Sequence, residues 1–130
     1  MKKRGLFITI IIVFLGIVCV LEQILVSNTL GTLKEKTDDI QIALNQDIDI
    51  NLDEIYQKTY DLSIFWKNNE NLLCFFINHK DMRDMGIEIN KMLSYSKSNT
   101  KEEFIISFNL VVYYTDTFNH IMGLSLQNLI

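Results

Sequence analysis

The stretch that most constrains this chain is residues 6–26, LFITIIIVFLGIVCVLEQILV. From Leu6 to Leu21 nothing is charged, and only Thr9, Gly16 and Cys19 are not strongly apolar. As a helix, residues 6–26 span about 31 Å, against a bilayer hydrocarbon core of about 30 Å. Glu22 then falls near one interface, where a charge costs far less than at the bilayer centre. A helix apolar on every side needs cover on every side, and a chain of 130 residues is too small to supply it. The reading is a transmembrane anchor with the lipid bilayer as its partner.

The flanks give an orientation. Lys2, Lys3 and Arg4 precede the span, whereas the charges after it are mixed and mostly acidic. The Lys/Arg bias holds the N-terminal side in the cytoplasm and sends the rest across. Residues 1–5 are thus cytoplasmic, 6–26 the anchor and 27–130 an extracytoplasmic domain of the cell membrane. Three processing signals fit poorly. A signal peptide needs a small-x-small site close behind the apolar run; Ile24, Leu25 and Val26 are too bulky, and Thr29-Leu30-Gly31 lies too far on. A lipoprotein needs a small residue before its cysteine, and Val18 precedes Cys19. The start through Gly5, then Leu6-Phe7, resembles a prepilin site, but Ile10 stands where pilins keep glutamate. A retained signal anchor is expected, with a pilin-like subunit as a lesser alternative.

Beyond the anchor, about a hundred residues suffice for one small domain with a modest core. The chain's formal charge of −4 includes the three N-terminal cations, so the domain itself is acidic. That argues against nucleic acid and anionic lipid headgroups, which need a basic footprint. Cys19 in the bilayer and Cys74 outside it cannot pair, and Cys74, within Leu72-Leu73-Cys74-Phe75-Phe76, reads as a small buried hydrophobe. Proline is absent, and glycine after the anchor is limited to Gly31, Gly86 and Gly123. Such a chain favours long helices and short polar turns.

Val26, Leu30, Leu33, Thr37, Ile40 and Leu44 alternate steps of four and three, one helical stripe. They predict that the anchor helix continues as an amphipathic stalk, with a flex at residues 27–31. After a polar turn at residues 45–51, Leu52, Ile55, Leu62, Trp66, Leu73 and Phe76 form the stripe of a second helix, for which Asn51 and Glu54 resemble a capping box. Asn78 can end that helix or cap the third, which carries Met82, Met85, Ile89, Met92 and Leu93. A turn at residues 96–99 precedes Thr100-Lys101-Glu102-Glu103, a capping box for the fourth helix. Phe104, Phe108, Val111, Val112 and Phe118 follow, and Ile105, Ile106 and Leu110 make this helix apolar on more than one side, as suits a central helix. Residues 104–114 also read as a buried strand; the capping box and the neighbouring segments favour helix. The apolar tail, with Leu124, Leu126, Leu129 and Ile130, is expected to dock on the bundle or a partner.

No motif announces chemistry. His79 and His120 have no second ligand at zinc-site spacing. Residues 47–53 resemble the start of a calcium loop, but Leu52 sits where the loop needs glycine and Lys58 where it needs glutamate. Nucleophile elbows and glycine-rich phosphate loops are missing. Neither metal nor cofactor is expected, and the chain does not read as an enzyme. Trp66, beside Phe65, reads as core, with an exposed aromatic–methionine groove as the alternative.

Taken in order, these features resemble a known family. They are the Lys-rich start and apolar anchor, Trp66, Phe76-Ile77-Asn78-His79 where the family favours Phe-Ile-Asp-His, and then Asp81 and Asp84. Leu93, Tyr95 and His120-Ile121 follow, and the closing Leu124-Ser125-Leu126-Gln127-Asn128-Leu129-Ile130 is like the family's Leu-x-Leu-x-Asn-Ile-Leu ending. The chain resembles the small single-pass proteins of spore-forming Gram-positive bacteria grouped as domain of unknown function 4363. The resemblance implies association with a multi-pass membrane protein and no established activity. The expectation is therefore an all-α protein, a transmembrane helix followed by an extracytoplasmic bundle of about four helices. Its expected role is a non-catalytic accessory or interaction subunit of a membrane complex, with a link to sporulation. The alternative is an extracytoplasmic ligand-sensing domain. Trp66, His79, His120, Leu126 and Asn128 are the candidate interaction residues.

Overall fold

The computed structural model describes the backbone of residues 2–46 and 52–128, and within these the side chains of residues 3–46 and 53–123. The described residues form four helices: α1 (Lys2–Asn45), α2 (Leu52–Leu73), α3 (His79–Ser98) and α4 (Lys101–Asn128). No strand occurs among the described residues, so residues 104–114 are helical.

The helices form a square. α1 packs on α2 and α4, α3 packs on the same two, and the backbones of the diagonal pairs stay apart. Neighbours run antiparallel, as short connections require. The Lys36 ammonium of α1 lies 5.6 Å from the centre of the Phe65 ring on α2. Lys97, near the end of α3, covers Tyr56, near the start of α2, at 5.3 Å. Asn119 of α4 donates from Nδ2 to the Leu30 carbonyl of α1 at 3.2 Å.

The heptad stripes become the core. α1 buries Val26, Leu30, Leu33, Ile40 and Ala43; α2 buries Ile55, Leu62, Trp66 and Leu73. α3 contributes Met82, Met85, Ile89 and Met92, and α4 contributes Phe104, Phe108, Val111, Phe118 and Met122. Each large side chain so buried is worth about 1.5–3 kcal/mol against exposure. Thr37, Thr59 and Thr115 occupy core positions on their stripes. Their hydroxyls donate to carbonyls of their own helices, at Lys34, Ile55 and Val111. Each buried donor is therefore satisfied locally.

Asn78 caps α3. Its Oδ1 accepts from the Lys80 amide at 2.7 Å, which satisfies one of the orphan donors of the first turn. α2 ends at Leu73, earlier than its apolar stripe suggests. The amides of Phe75 and Phe76 donate to Leu72 and Leu73 in tightened turns, and this carries Ile77 back into the core.

Five details depart from the sequence expectation. α1 is unbroken through residues 27–31; Gly31 costs only about 1 kcal/mol against alanine, and Val26, Leu30 and Leu33 pack on both sides of it. α3 runs through Ser96 to Ser98, because Ser96 is buried and donates back to Leu93; only Asn99 leaves the helix, at φ 57° and ψ 34°. The Thr100 hydroxyl turns back to Ser98 and the Tyr95 carbonyl, the end of α3, so the capping-box geometry with Glu103 is not made. Cys74 is half-buried rather than buried, and both cysteines are free thiols. Finally, α4 is a corner helix, not a central one. Ile106, Leu110, Tyr113 and Ile121 are exposed on it. The Asn51 cap and most of the calcium-like segment, residues 47–51, lie outside the described residues.

The first half of α1 differs from the rest. It is one helix long and apolar enough to cross a membrane, and none of its most apolar window is buried. By length and composition it fits a span or a signal sequence.

Candidate functional site

Two polar side-chain atoms are buried without a partner among the described residues: Gln23 Oε1 on α1 and Trp66 Nε1 on α2. The second borders a cleft between two helices. The heptad stripe places Trp66 inside, 3% exposed. Its indole edge meets α3 at Gly86, where an added Cβ would stand 3.1 Å from Nε1. Gly86 is thus the residue that lets α3 approach the ring. The indole N–H has no acceptor, and a buried donor left unpaired costs about 1–3 kcal/mol.

That N–H borders a cleft between α2 and α3. The part nearest Trp66 has a volume of about 230 Å³ and is lined by Ser63, Lys67, Glu70 and Asn90. It adjoins a wider part of about 400 Å³ lined by Cys74, His79, Met82 and Arg83, with Glu70, Gly86 and Asn90 shared by both. The inner part combines the indole donor with Ser63, Lys67, Glu70 and Asn90, a mixed lining that could accommodate a small acceptor-bearing ligand. Cys74 and His79 share its lining, yet no hydrogen bond joins them. No group of three or more histidine, cysteine, aspartate or glutamate residues that could hold a metal occurs among the described residues.

The predicted interaction residues separate in space. Trp66 and His79 belong to the α2–α3 cleft, one on its floor and one at its mouth. His120 is exposed on α4. Leu126 and Asn128 lie in the last turns of α4, and their side chains fall outside the described ones. Sequence reasoning missed Gly86, whose role needs the neighbouring helix to be seen. It also missed the outer face of α4. Ile106, Leu110, Tyr113 and Ile121 recur at helical spacing, with Thr117 between. They lie opposite Phe104, Phe108, Val111, Thr115 and Phe118, since a helix turns about 100° per residue. The signal was present as a second apolar side, but it was assigned to packing within the bundle.

α1 and α4 are tied at the surface. Lys34 Nζ contacts Asp38 at 3.1 Å and, across the helix pair, Asp116 at 3.3 Å. Hydrogen bonds to Asp38 and then to Asp116 push the Lys34 pKa up.

Comparison with the curated proteins and with the solved structures finds no match to this chain. One family does match, over residues 20–129, which take in the last turns of the apolar run and nearly the whole bundle. The chain belongs to the family described as Domain of unknown function (DUF4363).

Proposed function

We propose that this chain is a single-pass membrane protein whose bundle lies outside the cytoplasm and serves as a non-catalytic accessory subunit, docking on a multi-pass membrane protein. The observation that carries this is the outer stripe of α4. Ile106 and Tyr113 are both 63% exposed, on a helix whose other side already fills the core. An apolar stripe left uncovered on a small bundle, here broken only at Thr117, marks a binding surface. Its spacing suits a second helix laid along it. α4 also runs back toward the end of the bundle where the apolar half of α1 emerges, so a partner helix along this stripe would meet the bilayer.

The orientation rests on Lys2, Lys3 and Arg4 before the span. A phosphatase fused after the bundle is expected to be active only if that orientation holds. The partner is tested by replacing Tyr113 with a photocrosslinking phenylalanine in the full chain. The expected adduct is with an integral membrane protein, with none from the same group at Lys91 on the outside of α3. An adduct with only a second copy of the chain would replace the accessory reading by a homodimer. No adduct would remove it.

A second reading, a ligand-sensing domain, is favoured by one observation, the unpartnered Trp66 Nε1 beside the α2–α3 cleft. Its test is a screen for small acceptor-bearing ligands that shift the tryptophan emission of the wild-type chain. Saturable shifts that Asn90→Leu abolishes would promote it.

A further inference from the structure

The bundle has two ends, and their turns differ in chemistry. At one end the α3–α4 turn is Asn99 and Thr100, both polar. At the other, the α2–α3 turn runs from Cys74 through Phe75, Phe76 and Ile77 to the cap residue Asn78. Ile77 is buried, whereas Phe75 is 86% exposed, more than any other large apolar side chain described. The fold spends a tight turn on presenting a phenyl ring to the outside. Nothing in the packing requires it, since Phe76 and Ile77 already close the core from this end.

This apolar turn lies at the end from which the span emerges. Lys36 of α1 stands over Phe65 of α2. Moving from Phe65 to Phe75 is about 15 Å along α2 and its turn, and the same distance back along α1 from Lys36 reaches about Val26. Phe75 is therefore level with the last residue of the apolar run. α4 points the same way. Asn119 is level with Leu30 through its hydrogen bond, and α4 continues to Asn128, about 13 Å further. Its last turns thus run alongside residues 21–25 of the apolar run. Because α1 is one unbroken helix, the apolar run leads directly away from this end of the bundle.

We infer that the base of the bundle is seated on the phospholipid bilayer, with the Phe75 ring inserted at the headgroup–acyl boundary beside the anchor. This rests on the reading of residues 6–26 as a span. Aromatic side chains are favoured at that depth, and a second contact beside the anchor restricts how far the bundle can tilt. α4's outer stripe is then held at a fixed angle to the membrane, upright along any partner helix that crosses it.

The test uses the full chain in phosphatidylcholine vesicles whose acyl chains are brominated near the headgroup. Trp66 is the only native tryptophan and is buried, so wild-type emission sets the baseline. Phe75→Trp keeps an aromatic ring at an exposed position and leaves the core untouched. Ile11→Trp reports on the span, and Ser98→Trp reports on the far end. The expected result is about a two-fold or greater loss of the added emission for Phe75→Trp, as for an interfacial aromatic, with Ser98→Trp unquenched. Quenching of Ile11→Trp but not Phe75→Trp would overturn the seated base and leave the span standing. Failure to quench Ile11→Trp would remove the span, and the seated base with it.

Discussion

α1 contains two regions that share a backbone and almost nothing else. From Leu6 to Leu25 its large apolar side chains are mostly more than half exposed in every direction around the helix. From Val26 to Ala43 the apolar residues, Ile42 excepted, fall on one stripe and are covered by α2 and α4. Lys34, Lys36, Asp38 and Asp39 occupy the rest of the circumference in this second region, turned to water, to ion pairs or, for Lys36, to the Phe65 ring. Helix formation is local and indifferent to this change, so the 44-residue helix passes through it without a break. What changes is the solvent each pattern is made for. A uniform apolar surface fits a span or a signal sequence, and a stripe matches a protein neighbour. Family membership spans mainly the second region, since the match begins at residue 20.

The largest test of that contrast is in the partner helix. Trp66→Ala removes a side chain that is 3% exposed and should cost about 3–5 kcal/mol. A small domain has only about 5–15 kcal/mol of stability. In detergent micelles the variant's bundle should melt far below the wild type, while the helical signal of the apolar half persists after the melt. If helicity vanished in one step, the two regions of α1 would be a single cooperative unit. An unchanged melting temperature would instead remove Trp66 from the core and strengthen the ligand-sensing reading.

A matched pair sharpens the contrast within α1. Leu33 is fully buried and Leu15 is 55% exposed. Leu33→Ala should cost about 2–5 kcal/mol of bundle stability, measured by chemical denaturation in micelles, whereas Leu15→Ala should leave the same transition unmoved. Equal effects would mean that the apolar half contributes to the bundle's fold.

A charge inverts the pair. Val13→Arg puts a guanidinium at the middle of the apolar run, where insertion scales charge about 2.5–3.5 kcal/mol. The bundle should fold as before, and the protein should shift from the membrane pellet to the soluble fraction after carbonate extraction. An unchanged distribution would show that the remaining apolar residues of the run outweigh the single charge.

The same contrast explains what the sequence disclosed. The stripe on α1, the core of α3 and the placement of Trp66 follow from spacing alone, because a heptad pattern encodes which side is covered. The termini of α3 were less legible. Ser96 and Thr100 are turn formers by type, but burial of one and the backward hydrogen bond of the other were decided by packing around them. The α2–α3 cleft was legible only in part. Trp66 marks its floor, yet the gap above it exists because Gly86 lies opposite, a pairing of residues twenty positions apart on two helices. α4 misled for a different reason. An apolar second face is written identically whether it meets a neighbour inside the bundle or a partner outside it.

The smallest effect expected is that of the surface tie between α1 and α4. Lys34 bridges Asp38 and Asp116 with side chains about half exposed, and such pairs are worth about 0–1 kcal/mol. The raised Lys34 pKa, caused by hydrogen bonds to Asp38 and Asp116, fixes the sign with pH. The group binds its proton more tightly folded than unfolded, so its contribution is complete below the unfolded value of about 10.4. It is lost as pH rises through the higher folded value. A Lys34→Gln/Asp116→Asn double-mutant cycle by denaturation in micelles at neutral pH should give a coupling of about 0.5 kcal/mol. That coupling should shrink in high salt and disappear above the folded pKa of Lys34. A coupling of about 2 kcal/mol or more would exceed what an exposed pair supplies. The α1–α4 seam would then depend on charge, and the lower half of α1 would owe its place to more than the apolar stripe that distinguishes it from the half above.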